Sequence, residues 1–287
     1  MNENEIVTTE MTNPDAKKGS FVAVGTGIDV SNQMTIGARA HIEQADIVYE
    51  IVYGKAAKHW INSLNDTVVS LSGFYDEGKS RLQTYRQMED VMIASVKEGK
   101  KVVAAFYGHP GVFATPTHGA IARLKADGYT AWMEPGISAE DCLVADLGID
   151  PGNTGCQAFE ASQLLFYKHS INPNCLLIIW QIGLAGEHTL RTLKQDNLQT
   201  GLQVLTNSLL DYYPPDHEVI IYMAKNTALF SSTITRIPLS ELPASKPHGM
   251  STLVIPSRGL PDMDHETLAK LGLTAEDITG SIDPTFE

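Results

Sequence analysis

Phe106-Tyr107-Gly108-His109-Pro110-Gly111-Val112-Phe113-Ala114, directly after the apolar run Val102-Val103-Ala104-Ala105, is the stretch that decides the fold. An unbroken apolar run of this length has the composition of a strand buried on both faces, as in a parallel sheet. Where that strand should end, Tyr107 to Gly111 pack two glycines, a proline, a tyrosine and a histidine together. Glycine and proline at such density mean a sharp turn whose backbone a ligand can approach closely. In open α/β sheets, ligands sit outside the carboxyl ends of the strands. The stretch therefore predicts a strand at 102–106 with a ligand site just beyond it.

Outward from this point the same alternation recurs. Phe21-Val22-Ala23-Val24 reads as a short buried strand closed by Gly25-Thr26-Gly27. A helix from about Gln33 to Gln44 follows, with Thr35 as cap and Ile36, Ala40 and Ile42 among its apolar positions. Asp46–Tyr49 and Thr67–Leu71 read as strands. A long helix from near Ser80 to Glu98 carries Leu82, Met88, Met92 and Val96 as an apolar stripe. Thr117–Asp127 is predicted helical, Gly128–Trp132 a strand ending at Glu134-Pro135-Gly136, and Ser138–Leu147 a helix capped by Ser138. Further on, Leu176–Trp180, Glu218–Met223 and Ser251–Ile255 read as strands, Thr200–Tyr212 as mostly helix and Asp264–Leu271 as a short terminal helix. Strands alternating with helices at this spacing mean βαβ units and a largely parallel sheet.

Length and composition set the outer bounds. The 287 residues suffice for one large or two medium domains, and 43% hydrophobic with 19% charged residues is ordinary for a globular chain. A formal charge of −13 disfavours nucleic acid as a partner. Cys142, Cys156 and Cys175 form no CxxC pair, and their odd number fits a reducing compartment. Residues 1–19 are polar and acidic, without the apolar region of a signal peptide, and read as a disordered tail. No apolar run approaches the roughly 20 residues that span a bilayer. The expectation is a soluble, cytoplasmic protein with no membrane partner.

Two motifs carry chemistry, each beside a plainer alternative. Gly25-Thr26-Gly27-Ile28-Asp29-Val30 suggests a dinucleotide loop with Asp46 at ribose distance, but the third glycine position holds Val30. A tight turn without a phosphate is the better account, and NAD is disfavoured. In Tyr75-Asp76-Glu77-Gly78-Lys79-Ser80-Arg81-Leu82-Gln83-Thr84-Tyr85, Arg81 and Tyr85 stand four apart on one helical face. A guanidinium beside a phenol favours the phenolate. Moving a tyrosine from pKa about 10 to about 7 takes roughly 4 kcal/mol, more than one near-surface arginine supplies. The plainer alternative is an exposed Arg81 stacked on Tyr85. His109, boxed between Gly108 and Pro110, either hydrogen-bonds locally or contacts a ligand. The nine histidines show no HxxxH or HExxH pattern, so no metal site is expected, and no GxSxG nucleophile elbow is present.

Taken together, Val24-Gly25-Thr26-Gly27, the Tyr107–Phe113 loop and Pro135-Gly136-Ile137-Ser138-Ala139 resemble the tetrapyrrole-methylase superfamily, S-adenosylmethionine (SAM) methyltransferases of two α/β domains. Tyr75–Arg81 with Thr84-Tyr85 and Gln87-Met88 narrows the match. Ser138–Cys142, Ala145-Asp146-Leu147, Ile149-Asp150-Pro151 and Phe159-Glu160-Ala161-Ser162 narrow it further. These resemble one branch, the borosin peptide backbone α-N-methyltransferases.

The resemblance implies SAM in the cleft between an N-terminal α/β domain at 20–135 and a C-terminal α/β domain at 136–258, followed by a short helical tail at 259–287. Its contacts would be Tyr107, His109, Val112, Ala139, Gln181, Ala224, Ser251 and Thr252. The catalytic group would be Arg81, Tyr85 and Tyr107, with Tyr75 holding the substrate peptide. In that scheme an ionised Tyr85 takes the amide proton, Arg81 holds the imidate-like oxygen and Tyr107 orients the methyl. After Ile255-Pro256 there is no apolar core peptide and little clasp, so the expectation is a split system. A separate precursor peptide is then methylated in trans by a homodimer, with a heterotetramer including the precursor as a further form. The competing expectation is a C-methyltransferase of precorrin or uroporphyrinogen rings, which needs neither Arg81–Tyr85 nor Tyr75. A SAM- or peptide-binding module without catalysis is a third.

Overall fold

In the computed structural model, residues 18–75, 79–187 and 195–279 are described. The proposed tail at 1–17, the turn Asp76–Gly78 and Gly280–Glu287 lie outside them. The first half runs β1 (Ser20–Gly25), α1 (Val30–Gln33), α2 (Ile36–Glu43), β2 (Ile47–Ile51), α3 (Lys55–Leu64), β3 (Val68–Ser70), α4 (Arg81–Lys97), β4 (Lys101–Phe106), α5 (Thr115–Ala126) and β5 (Thr130–Met133). Its five strands form one wholly parallel sheet in the order β3-β2-β4-β1-β5.

The apolar run of β4 is explained by cover on both faces. Val102, Ala104 and Phe106 pack with Met88, Met92 and Val96 of α4 and Leu124 of α5. Val103 and Ala105 point the other way, onto Ala38 and Ile42 of α2 and Ile61 of α3. Period-two alternation on a strand buried on both sides leaves no polar position to reveal it.

The second half runs α6 (Ala139–Leu147), β6 (Cys156–Glu160), α7 (Ala161–Phe166), β7 (Leu176–Trp180), α8 (Gln195–Leu209), β8 (Glu218–Met223), β9 (Thr233–Pro238), β10 (Thr252–Ile255), α9 (His265–Leu271) and α10 (Ala275–Thr279). Its sheet, ordered β6-β7-β10-β8-β9, is mixed. Only β6 and β7 pair parallel; β10 is antiparallel to both β7 and β8, and β8 to β9. The expectation of a largely parallel sheet therefore holds for the first half and is corrected for the second. Hairpin-like antiparallel pairing needs no crossover helix, and few helices separate β8, β9 and β10. The core is again two-sided, with Leu177, Ile179 and Leu253 against α8 and Ile178, Trp180 and Val254 against Leu143 of α6.

Local signals held where side chains make the bonds. Thr35 caps α2 by accepting from Ala38 N at 3.0 Å. Ser138 and Asp141 form a reciprocal capping box on α6. Ser80 precedes α4, but its side chain makes no capping bond. Two apolar assignments are corrected: Ile36 is 90% exposed and Leu82 62% exposed. The inward face of α4 is set by Met88, Met92, Ile93 and Val96. The helix α3 and the strands β6 and β9 carried no clear signal. Both strands are sheet edges with partly exposed residues, so they lack the apolar run that marks an inner strand.

Candidate active site

Three loops at the carboxyl ends of β1, β4 and β5 close on one another. Gly108 N donates to Gly27 O at 2.8 Å, Gly27 N donates to Gly108 O at 3.3 Å, and Tyr107 N is held by Ile51 O at 2.9 Å. Gly27 and Gly108 both take positive φ, 71° and 68°. A Cβ on Gly25 would stand 2.9 Å from both the Gly136 Cα and the Pro110 Cδ and would also strike the Gly108 carbonyl. Gly25-Thr26-Gly27 is thus a backbone-to-backbone junction, in keeping with a turn rather than a phosphate loop. Asp29, 1% exposed, caps α1 by accepting from Ser31 N, and Val30 is buried. The Thr117 hydroxyl donates to the Pro110 carbonyl and anchors the far side.

Beyond this junction lies a cavity of ≈ 410 Å³ shared by the two halves of the chain. The first half contributes Tyr107, Gly108, Val112 and Phe113; the second contributes Ala139, Gln181, Ala224 and Thr252. Phe113 and Trp180 meet across it with ring centroids 6.0 Å apart, and Tyr53 meets His248 at 6.3 Å. Phe113 (φ 52°) and Gln181 (φ 58°) are the two non-glycine residues with positive φ among the described residues, and both line this cavity. Such backbone costs of order 1 kcal/mol or more and persists where the surroundings enforce it.

Of the eight proposed cofactor contacts, Tyr107, Val112, Ala139, Gln181, Ala224 and Thr252 line the cavity. His109 does not: its Nδ1 accepts from Gly111 N at 2.9 Å, so the ring braces its own turn. Ser251 does not either. It is 4% exposed, with its backbone tied to Ile182 N and His248 O, and it borders a neighbouring cavity. The aromatic lining from Tyr53 and Phe230, and His248 with Met250, were missed. These residues sit in loops or at element ends without a motif around them.

Arg81 and Tyr85 open α4 one turn apart, as their spacing required. Arg81 is half-buried, and its Nε is closed off from solvent with no hydrogen-bond partner. It is therefore not an exposed arginine lying on a tyrosine. Tyr75, Tyr85 and Tyr107 form one electrostatic group with it. Burial pushes the Tyr85 phenol above its ordinary range, the positive charge of Arg81 pulls it down, and Glu160 raises it; the net displacement is upward. Burial likewise raises Tyr107, with Tyr85 adding to it, although 39% of its surface stays open. Tyr75 is raised furthest, by burial and then by Tyr85 and Tyr107, with Arg81 opposing. At Tyr85 one guanidinium does not by itself outweigh the burial.

The lining combines aromatic faces with polar groups and one charge of each sign, Glu140 and Lys225. Aromatic faces at Tyr107, Phe113 and Trp180 can meet a sulfonium. Gln181, Thr252 and backbone groups supply hydrogen bonds, and the glycine junction brings the backbone close. No cluster of metal-ligating side chains occurs among the described residues.

Comparison with known proteins agrees with this architecture. The profile of the Tetrapyrrole (Corrin/Porphyrin) Methylases matches residues 20–243. The chain is 42% identical over 261 residues to a methyltransferase/ribosomally synthesized type III borosin cyclic peptide precursor of Anomoporia bombycina, covering 90% of this chain and 30% of that protein. It is 40% identical to the gymnopeptides precursor of Gymnopus fusipes, over 90% of this chain and 62% of the relative. With the omphalotin A precursor of Omphalotus olearius it shares 38%, over 91% and 63%. In each of these names the methyltransferase and the precursor are one protein, and this chain spans less than two thirds of it. Among solved structures, the uroporphyrin-III-C-methyltransferase of Thermus thermophilus superposes with a TM-score of 0.61 at 17% identity, covering 86% of this chain and 99% of that one. A cobalt precorrin-4 methyltransferase gives 0.61 at 14%, covering 82% and 94%. With the profile covering the first sheet and four of the five strands of the second, the chain belongs to the tetrapyrrole (corrin/porphyrin) methylase family.

Proposed function

We propose that this protein transfers methyl groups from SAM to backbone amide nitrogens of a ribosomally made precursor peptide. The observation that carries the reading is the group Arg81, Tyr85, Tyr75 and Tyr107, in which Tyr107 also lines the glycine-built cavity. Methylation of a ring carbon has no use for it, and borosin-precursor relatives at about 40% identity point the same way. In this reading residues 20–135 and 136–258 are the two domains, and Tyr107, Val112, Ala139, Gln181, Ala224 and Thr252 hold the donor. A homodimer and a cytoplasmic location belong to it as well. No described helix is long and apolar enough to cross a membrane.

When bound, SAM supplies an electrophilic methyl at a sulfonium. The rest falls to the chain. A peptide nitrogen shares its lone pair with the carbonyl and hardly gives up its proton. In this reading Arg81, whose Nε is buried and unpartnered, donates to the peptide oxygen and holds the charge that gathers there as the proton leaves. In the same reading Tyr85, ionised once the donor's cation adds to the charge of Arg81, receives the proton. Tyr107, on the cavity wall, fixes the approach of the nitrogen, and Tyr75 bears on the peptide.

The finer part of the reading is that the acceptor is a separate chain. The test is intact mass after incubation with SAM and a synthetic apolar peptide rich in valine and isoleucine. Steps of one methyl on the peptide support methylation in trans. Steps on this chain instead mean methylation in cis, and no step on either removes the activity.

A further inference from the structure

The loop after β1 is shaped like a phosphate cradle, but its backbone donors are taken from within the chain. Ile28 N and Asp29 N both donate to Gln33 Oε1, at 2.8 and 2.9 Å. Successive N–H groups converging at a turn form a concavity that elsewhere receives an anion. Here a neutral amide oxygen fills it, so the place of a phosphate is occupied. Gln33 closes α1, and a Cβ on Gly27 would collide with its Cβ, so the side chain packs against the turn it serves. The nitrogen of the same amide, Nε2, donates to Cys142 Sγ at 3.2 Å. Cys142 is buried and belongs to α6, in the second half of the chain. One planar amide thus makes three bonds, two within the first half and one to the second.

Both ends of this strut lie against the cavity. Ile28 lines it, and its Cδ1 lies 3.2 Å from where a Cβ on Gly108 would stand, so it rests on the Gly27–Gly108 junction. Ala139 lines it from the second half, three residues before Cys142 on α6. Residues three apart on a helix share a face. Leu143, next in sequence, is buried among β7, β8 and β10 and fixes that helix to the second sheet.

We propose that Gln33 is a positioning residue for the methyl donor, setting the spacing of the Ile28 and Ala139 walls by bridging the two halves through Cys142. This deepens the reading above and rests on SAM occupying the cavity. Gln33 itself is not among the lining residues and acts through the walls it holds. Donor affinity, rather than the transfer step, is the quantity that depends on it.

The test measures SAM affinity by calorimetry, KM for SAM and kcat with the valine- and isoleucine-rich peptide, and melting temperature. The variants are Gln33→Ala, Cys142→Ala, the two combined, and Cys142→Ser. Gln33→Ala should weaken SAM binding about 10-fold and raise KM for SAM, with kcat at saturation little changed. Cys142→Ala should weaken it by about 3-fold or more. The double variant should bind SAM no more weakly than Gln33→Ala, because both substitutions break the same bond. Cys142→Ser keeps an acceptor and should recover part of the loss. Wild-type SAM affinity in Gln33→Ala overturns the proposal, and so do losses that simply multiply in the double variant. A merely structural role lowers the melting temperature without that non-additivity, which also overturns it. If Gln33→Ala does not fold, Gln33→Glu replaces it in the cycle, since it keeps the acceptor for Ile28 N and Asp29 N but has no donor for Cys142. A wild type that binds no SAM overturns the parent reading, and this one with it; the wild-type titration tells the two failures apart.

Discussion

In the proposed function Arg81 and Tyr85 concentrate the chemistry, through opposing effects at one phenol. Burial and Glu160 raise Tyr85, and Arg81 lowers it. Arg81→Ala should therefore move the Tyr85 ionisation to still higher pH, read by phenolate absorbance; a downward shift would contradict the placement. Tyr85→Phe keeps the ring and removes the oxygen. It should lower turnover by about 10²- to 10⁴-fold, the usual worth of a general base, with SAM affinity intact. Full activity in that variant would remove Tyr85 from the proton path. At this scale the i, i+4 pairing was legible because α4 is regular. The effect of Glu160 on the Tyr85 phenol was not, because the two residues lie in different halves of the chain. His109 and Ser251 show the converse, since a position in a motif does not say which way a side chain turns.

The loops after β1, β4 and β5 are the elements that make the cavity. Their glycines are set by contact: Gly25 has Gly108, Pro110 and Gly136 against it on one side. Gly25→Ala should cost about 1–3 kcal/mol of stability, as overpacking does, and weaken SAM binding by displacing the Tyr107 loop. Thermal denaturation and calorimetry check it, and wild-type values in both would contradict the junction. The glycine- and proline-rich loops and the inner strands could be read from sequence, since covered strands are apolar throughout and sharp turns need special residues. Edge strands β6 and β9 could not, and neither could the antiparallel pairing of β10. Pairing direction depends on connections across the chain rather than on local composition.

Across the whole molecule, two sheets of different character share one cleft, the first wholly parallel and the second mixed. Tyr75, Tyr85, Tyr107, Tyr213 and Tyr222 all ionise above their ordinary value, Tyr213 at about 12. The sign follows: the folded values exceed the unfolded value of about 10, so this stability is fully present below pH 10 and is lost as the pH rises toward 12. Melting temperature should therefore hold up to about pH 10 and fall steadily above it, less steeply in Tyr213→Phe. A melting temperature unchanged to pH 12 would contradict the burial of these phenols.

The central claim is that the Arg81–Tyr85 group directs a methyl to backbone nitrogen. The most direct measurement is tandem mass spectrometry of the valine- and isoleucine-rich peptide after incubation with SAM and the wild-type protein, beside the Tyr85→Phe control. The account predicts single methyl steps borne on backbone nitrogens with the wild type and none with Tyr85→Phe. Methyls found on carbon or on side chains, or equal backbone methylation by Tyr85→Phe, would contradict it.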